Sequence, residues 1–158
     1  MIIKIGMENS RDLQPIAIML EQARGALVHA LKKLGAQRIG FASPYVGAIN
    51  EQAVSFLGDA GVEPVNVADV GKALGNYGQG ELTPDEVFDL GKRADHADAQ
   101  AIVMSCTDMR TVEAIVRLES ALGKPVISSN QAMLFEALEV LNCRADGAGC
   151  GQLFSKAT

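Results

Sequence analysis

Ala101-Ile102-Val103-Met104-Ser105-Cys106-Thr107-Asp108-Met109-Arg110 is the stretch on which the fold of this 158-residue chain turns. Ala101 to Ser105 is a largely apolar run, as expected of a strand covered on both faces of a parallel sheet. Cys106 stands at its end. From Thr107 to Leu122 the pattern changes to a helical stripe, with Val112, Ile115, Leu118 and Leu122 inward, Glu119 at the edge and Gly123 as the stop. Pro125-Val126-Ile127-Ser128-Ser129 then reads as the next strand. Asn130 caps a final helix through Leu141 that carries Leu134, Ala137, Leu138 and Leu141.

The same alternation runs upstream. Leu20 to Leu34 reads as a helix with Ala23, Leu27, Leu31 and Leu34 on one stripe and Gly35 as a stop. Arg38 to Ala42 is a short buried strand, ended at Ser43-Pro44-Tyr45 because proline removes a ladder donor. Val46 to Ala60 is a helix placing Ile49, Ala53, Phe56 and Leu57 inward, closed by Gly61. Val62 to Val67 is a strand. Gly71 to Gly80 holds four glycines with Asn76 and Tyr77, and reads as a loop. Thr83-Pro84-Asp85-Glu86 starts a helix: an N-cap threonine, proline in the first turn and glutamate three residues on.

Strands and helices that alternate roughly every 15 to 20 residues favour right-handed parallel crossovers. The expected fold is therefore α/β, a doubly wound three-layer domain with a mostly parallel sheet of about four strands. Residues 1–158 read as one domain, with no repeat or linker. The ends, 1–19 and 142–158, carry no clear pattern.

Composition narrows the function. A chain with 48% hydrophobic and 21% charged residues is that of a folded globular protein. A net charge of −5 with scattered basic residues argues against nucleic acid. Met1 to Ile5 is short and interrupted by Lys4, unlike a signal peptide or membrane span, so a cytoplasmic protein without a membrane partner is expected. Cys106, Cys143 and Cys150 are odd in number and lack CxxC spacing, which fits neither a disulfide framework nor a zinc site. No metal is expected. Cys143 and Cys150 read as structural or incidental thiols.

In a doubly wound sheet, ligands sit beyond the C-terminal ends of the strands. Three such ends carry polar groups: Ser43 with Tyr45, Cys106 with Thr107, and Ser128 with Ser129 and Asn130. Their hydroxyls and amides, with helix N-termini, can hold a carboxylate without a basic residue. Each serine or asparagine also suits N-capping, so only their convergence is informative. Cys106 lies between a strand and a helix start, where unpaired N–H groups and the dipole favour a thiolate. Asp108 opposes this by charge repulsion, which leaves the sign of the thiol shift open. The alternative is a buried, inert cysteine. His29 lies inside a helix and His96 in an acidic connector, so neither supplies a base to Cys106. Gly75 to Gly80 does not follow a strand and open a helix as a phosphate loop does.

Ser105-Cys106-Thr107-Asp108-Met109-Arg110 followed by Leu122-Gly123-Lys124-Pro125-Val126-Ile127-Ser128-Ser129-Asn130-Gln131-Ala132 resembles a signature of the Asp/Glu racemase superfamily, in the branch of maleate isomerase and arylmalonate decarboxylase. Leu34-Gly35-Ala36, Ser43-Pro44-Tyr45 and Asn50-Glu51 are similar to that branch's upstream motifs, and Asn76 with Gly80 falls where its substrate loop carries an asparagine. The likeness runs from about Leu27 to Leu141. It implies a cofactor-independent isomerase, racemase or decarboxylase acting on a small (di)carboxylic acid. Cys106 would be the proton donor or acceptor, a role suited to a thiol whose pKa lies near neutrality. Tyr45, Asn76 and Thr107 would contact substrate carboxylates. Asn130 to Phe135 also resembles ectoine-utilisation proteins of the family.

The resemblance implies one half of a two-half enzyme. Met1 to Met19 matches no cysteine-bearing front half, so the likeness is to the second half only. A homodimer is the expected way to supply the other wall, with two Cys106 thiols about a two-fold axis. The alternative is a truncated, catalytically inactive half-domain with a binding role or none.

Overall fold

The computed structural model describes residues 25–143 and 150–156, with the side chains of Asn76 and Lys156 outside that description. Helical residues 25–34 form α1. They are followed by β1 (Arg38–Ala42), α2 (Ala48–Asp59), β2 (Glu63–Ala68), α3 (Gly75–Gly80), α4 (Pro84–Ala94) and β3 (Ala101–Met104). The chain continues through α5 (Val112–Leu122), β4 (Val126–Ser128), α6 (Ser129–Val140) and α7 (Gln152–Lys156). The earlier part of the expected first helix, Leu20 to Arg24, and residues 1–19 lie outside the described residues.

All three pairings in the four-stranded sheet are parallel, in the order β2-β1-β3-β4. The α/β, doubly wound expectation holds. The apolar strands owe their composition to cover on both faces. Ile39, Phe41, Ala101, Val103 and Ile127 join one core with Leu27 and Leu31 of α1, Leu57 of α2, Phe135 of α6 and Leu153 of α7. The alternate residues Ala42, Ile102, Met104 and Val126 join a second core with Val87 and Leu90 of α4 and Ile115 and Leu118 of α5. These are the three layers.

Gly40 in β1 allows the closest helix contact. A Cβ there would lie 2.2 Å from the Ala94 carbonyl oxygen, so only glycine lets the end of α4 rest on the sheet. Thr83 caps α4 in a full capping box with Glu86, as the local pattern predicts. Gly123 ends α5 with φ of 67°, the left-handed conformation of a helix stop.

Several expectations are corrected. Gly75 to Gly80 is a short helix rather than loop. Its glycines do not favour that state, but Gln79 is buried inside the domain and Gly80 sits against the Asp108 carbonyl, so tertiary contact sets the conformation. The segment from Thr107 to Thr111 is not helical, and α5 starts only at Val112. Val112 is 66% exposed, because Thr111, Ala114, Ile115, Leu118 and Glu119 form the inward face instead. Ile49 is likewise exposed on α2, where Asn50 and Leu57 are the buried residues.

The helix after β4 is capped by Ser128, not Asn130. Ser128 accepts from the Gln131 N–H at 3.2 Å, and the Gln131 carboxamide oxygen accepts from the Ser128 N–H at 3.3 Å. Leu134 and Leu141 are exposed, while Ala132 and Phe135 are buried. Nor is this helix the last: α7 follows, with Leu153 in the core and Phe154 edge-on to Phe135 at 5.7 Å between ring centres. Glu119 explains how α7 is held. Its buried carboxylate accepts from the N–H of Val126 at 3.0 Å and from the N–H of Gln152 at 2.9 and 3.0 Å. Gln131 adds a hydrogen bond from its amide to the Cys150 carbonyl.

Candidate active site

Strand order alone brings the chemistry together. β1 leads to β2 on one side, and the chain then returns to place β3 on the other, so the switch point of the sheet lies between the C-terminal ends of β1 and β3. Ser43 closes onto β2 through its N–H to the Ala68 carbonyl at 3.1 Å. Ser105 closes onto β1 through its N–H to the Ala42 carbonyl at 2.8 Å. These two bonds fix the segments that carry Tyr45 and Cys106 side by side.

Tyr45 donates its hydroxyl to Cys106 Sγ at 3.4 Å, across 61 positions of chain. The turn that aims it is built from buried polar groups. Ser43 donates its hydroxyl to the Asn50 carboxamide oxygen and accepts the Tyr45 N–H at 3.2 Å. The Asn50 amide donates to the Tyr45 carbonyl at 2.6 Å. The sequence Ser43-Pro44-Tyr45 with Asn50 is thus one self-satisfied unit whose hydroxyls and amides support the tyrosine.

Cys106 is 3% exposed. Its sulfur accepts the Asp108 N–H at 3.3 Å, and its thiol lies 3.5 Å from the Gln79 carboxamide oxygen, the acceptor for its proton. Burial pushes the thiol pKa up, and this exceeds the opposing hydrogen bonds from the Tyr45 hydroxyl and the Asp108 and Met109 backbones; the Asp108 charge adds to the rise. The backbone donors come from the loop after β3 rather than from a helix N-terminus, since α5 begins six residues later at Val112. Burial and then the bond to Cys106 raise Tyr45 as well, so its hydroxyl stays protonated as a donor.

The other expected residues fall around this pair. Thr107 is exposed, and its carbonyl accepts from the Asn130 amide at 2.9 Å, which ties the first turn of α6 to the loop after Cys106. Ser128 ends β4 opposite Met104 in register and is occupied in capping α6. Ser129 is buried beside it. Asn76 falls in α3, the helix that also carries Gln79, with its side chain outside the described residues. His29 bonds to Glu139 and His96 is exposed, so neither meets Cys106. Cys143 is exposed and Cys150 half-buried.

Gln79 is the residue that the sequence pattern misses. Its signal is faint: read as helix, Gly75 to Gly80 places Asn76 and Gln79 three apart on one face. Thr111 is notable too, as its buried hydroxyl lacks a hydrogen-bond partner among the described residues. A groove of about 520 Å³ beyond α3 is lined by Lys72, Glu81, Glu86, Asp89 and Arg93 together with apolar residues. Its charges are of mixed sign.

A parallel, doubly wound sheet with a hydrogen-bonded thiol at its switch point, flanked by tyrosine, serine and asparagine, defines a cysteine-centred racemase-like α/β half. The arylmalonate decarboxylase family model matches residues 5–154, and the chain belongs to that family. The match extends beyond the Leu27 to Leu141 span that the motifs cover. Maleate isomerase of Geobacillus stearothermophilus is 27% identical over 83% of this chain and 52% of its own length. Arylmalonate decarboxylase of Bordetella bronchiseptica is 30% identical over 83% of this chain and 55% of its own. A crystal structure of a cysteine-to-serine mutant of Nocardia farcinica maleate cis-trans isomerase, with a covalently bound succinylcysteine intermediate, superposes with a TM-score of 0.79 at 26% identity, covering 84% of this chain and 54% of that one. The chain therefore spans about half the length of the relatives it matches. Among the described residues no helix is long and apolar enough to cross a membrane.

Proposed function

We propose that this chain is a cofactor-independent, cysteine-dependent isomerase, racemase or decarboxylase of a small (di)carboxylic acid, in which Cys106 moves a proton at the substrate carbon. The observation that carries the reading is the set of partners at one sulfur: a tyrosine hydroxyl, a backbone N–H and a carboxamide oxygen at the sheet's switch point. A thiol held protonated by burial is a proton donor at neutral pH. When the C–C bond to a carboxylate breaks and CO2 leaves, the electron pair left on carbon takes the proton of Cys106; when a C–H bond breaks, its proton passes to the Cys106 thiolate of the facing copy and this Cys106 returns one to the other face of the carbon. The resulting thiolate is stabilised by the Tyr45 hydroxyl and the Asp108 and Met109 N–H groups, and water returns the proton.

Tyr45, Asn76, Thr107, Ser129 and Asn130 are the groups assigned to the substrate carboxylates, with Ser43 and Ser128 behind them. The proposal includes a cytoplasmic homodimer, in which the second copy supplies the facing wall of the cleft. Relatives named for maleate and arylmalonate chemistry support the substrate class, and the half-length match is the reason for a second copy to complete the cleft. The likeness of Asn130 to Phe135 to ectoine-utilisation proteins adds a pathway context to the proposal.

Cys106→Ser should lose turnover of maleate or an arylmalonate while its mass in solution remains that of the wild-type dimer. Unchanged turnover in that variant would overturn the role of Cys106. The second reading, an inactive half-domain, is favoured by the half-length match together with the near-complete burial of Cys106. Its outcome is a stable monomer with no turnover and no alkylation of Cys106.

A further inference from the structure

The geometry points to Gln79 as a two-faced positioning residue that serves both protonation states of Cys106: its carboxamide oxygen accepts from the thiol, and after rotation its amide donates to the thiolate. The inference rests on the reading of Cys106 as a proton carrier, and it goes beyond it by naming the group that lets the sulfur lose and regain its proton in place.

Three facts carry it. Gln79 is itself buried, at 7% exposure, and its carboxamide oxygen lies 3.5 Å from Cys106 Sγ. The other partners at the sulfur among the described residues, the Tyr45 hydroxyl and the Asp108 N–H, donate to it, which leaves Gln79 as the acceptor. A carboxamide carries an acceptor and a donor on the same carbon, and turning it by about 180° exchanges them. A carboxylate in the same place could only accept from the thiol.

The need for such a group follows from burial. An unpaired S–H inside the domain loses a weak bond, but an underpaired thiolate costs far more because burial strips most of its solvation. Tyr45 and Asp108 meet the thiolate state. Among the described residues, Gln79 is the group that holds the thiol proton in a fixed direction. With a carboxylate in its place, loss of the proton would set two negative charges together. The titratable groups that face the sulfur are Tyr45, from the segment after β1, and Asp108, from its own loop; Gln79, from α3, is neutral.

The test uses the full chain and does not need turnover. The rate of iodoacetamide labelling at Cys106, resolved from Cys143 and Cys150 by peptide mass spectrometry, is followed against pH for wild type, Gln79→Glu and Gln79→Leu. Gln79→Glu should raise the midpoint by about one pH unit or more, which slows labelling about tenfold at a fixed pH below it. Gln79→Leu should also raise the midpoint, by less, because the thiolate loses a donor. A midpoint that falls in Gln79→Leu means that the glutamine only locks the proton on sulfur, and overturns the proposal. So does an unchanged midpoint in Gln79→Glu, which decides the case alone where the leucine variant does not fold. Loss of turnover in Cys106→Ser with unshifted Gln79 midpoints separates the two readings: the proton carrier stands and the two-faced partner falls.

Discussion

Replacing Tyr45 by Phe removes one oxygen and leaves the ring packed against the second core. The oxygen lost is the one that donates to Cys106 Sγ at 3.4 Å. Hydrogen bonds to charged groups contribute about 1.5–3 kcal/mol, and a contact at this length belongs at the lower end. One pKa unit corresponds to about 1.4 kcal/mol, so the thiol midpoint should rise by about one unit. The shift is not larger because the Asp108 and Met109 N–H groups remain on the sulfur. At a fixed pH below the midpoint, iodoacetamide labelling of Cys106 should slow about tenfold, while labelling of exposed Cys143 in the same sample stays constant. A midpoint that stays in place would show that the hydroxyl does not stabilise the thiolate. A midpoint that falls would show that the hydroxyl accepts from the thiol, and the assignment of donor and acceptor at the sulfur would be reversed.

Two further outcomes follow from the same geometry. Cys106 and Tyr45 both have raised pKa values in the folded chain, so each contributes stability that is complete below its unfolded pKa and is lost as pH rises. Urea denaturation should show falling stability above about pH 8.5, the ordinary thiol value, and Cys106→Ala should fall less steeply through that range; parallel curves would contradict the burial argument. Glu119→Ala strips the acceptor from the N–H groups of Val126 and Gln152. At about 1–3 kcal/mol for each donor left unpaired, the variant should lose about 2–6 kcal/mol, with amide exchange rising first at residues 152–156. A change within about 0.5 kcal/mol would place α7 outside the cooperative fold.

The readable parts of the fold were those whose cause is local. Thr83-Pro84-Asp85-Glu86 names its helix start because the cap, the proline and the reciprocal glutamate lie within four residues. Ala101 to Met104 names a central strand because every side chain on it is covered. The misread parts have distant causes. Glycine-rich α3 is helical because Gln79 is drawn into the domain, and helical phase in α5 is set by Thr111, whose burial no period reveals. Ser128 outranks Asn130 as a cap because Gln131 completes the box from inside the helix, a pairing that the sequence Ser128-Ser129-Asn130-Gln131 contains but that the nearer asparagine obscures. α7 lies past a segment without pattern, and its anchor, Glu119, reads as a helix-edge charge.

The site divides along the same line. Cys106 and Tyr45 were legible because each ends a strand, and Asn50 because it recurs in the motif with Tyr45. Their meeting was not legible until the strand order put β1 beside β3. Asp108 shows why local sequence leaves the sign of the thiol shift open. Its carboxylate repels a thiolate while its own N–H donates to the sulfur, so one residue acts in both directions. The outcome is decided by neither. Burial between the ends of two central strands outweighs every donor on the sulfur, and that burial is a property of the sheet rather than of the residues beside the cysteine. The partners of the Cys106 sulfur accordingly come from three separated segments: Tyr45 after β1, Gln79 in α3 and the backbone after β3. A change to any one of them moves the thiol without touching it.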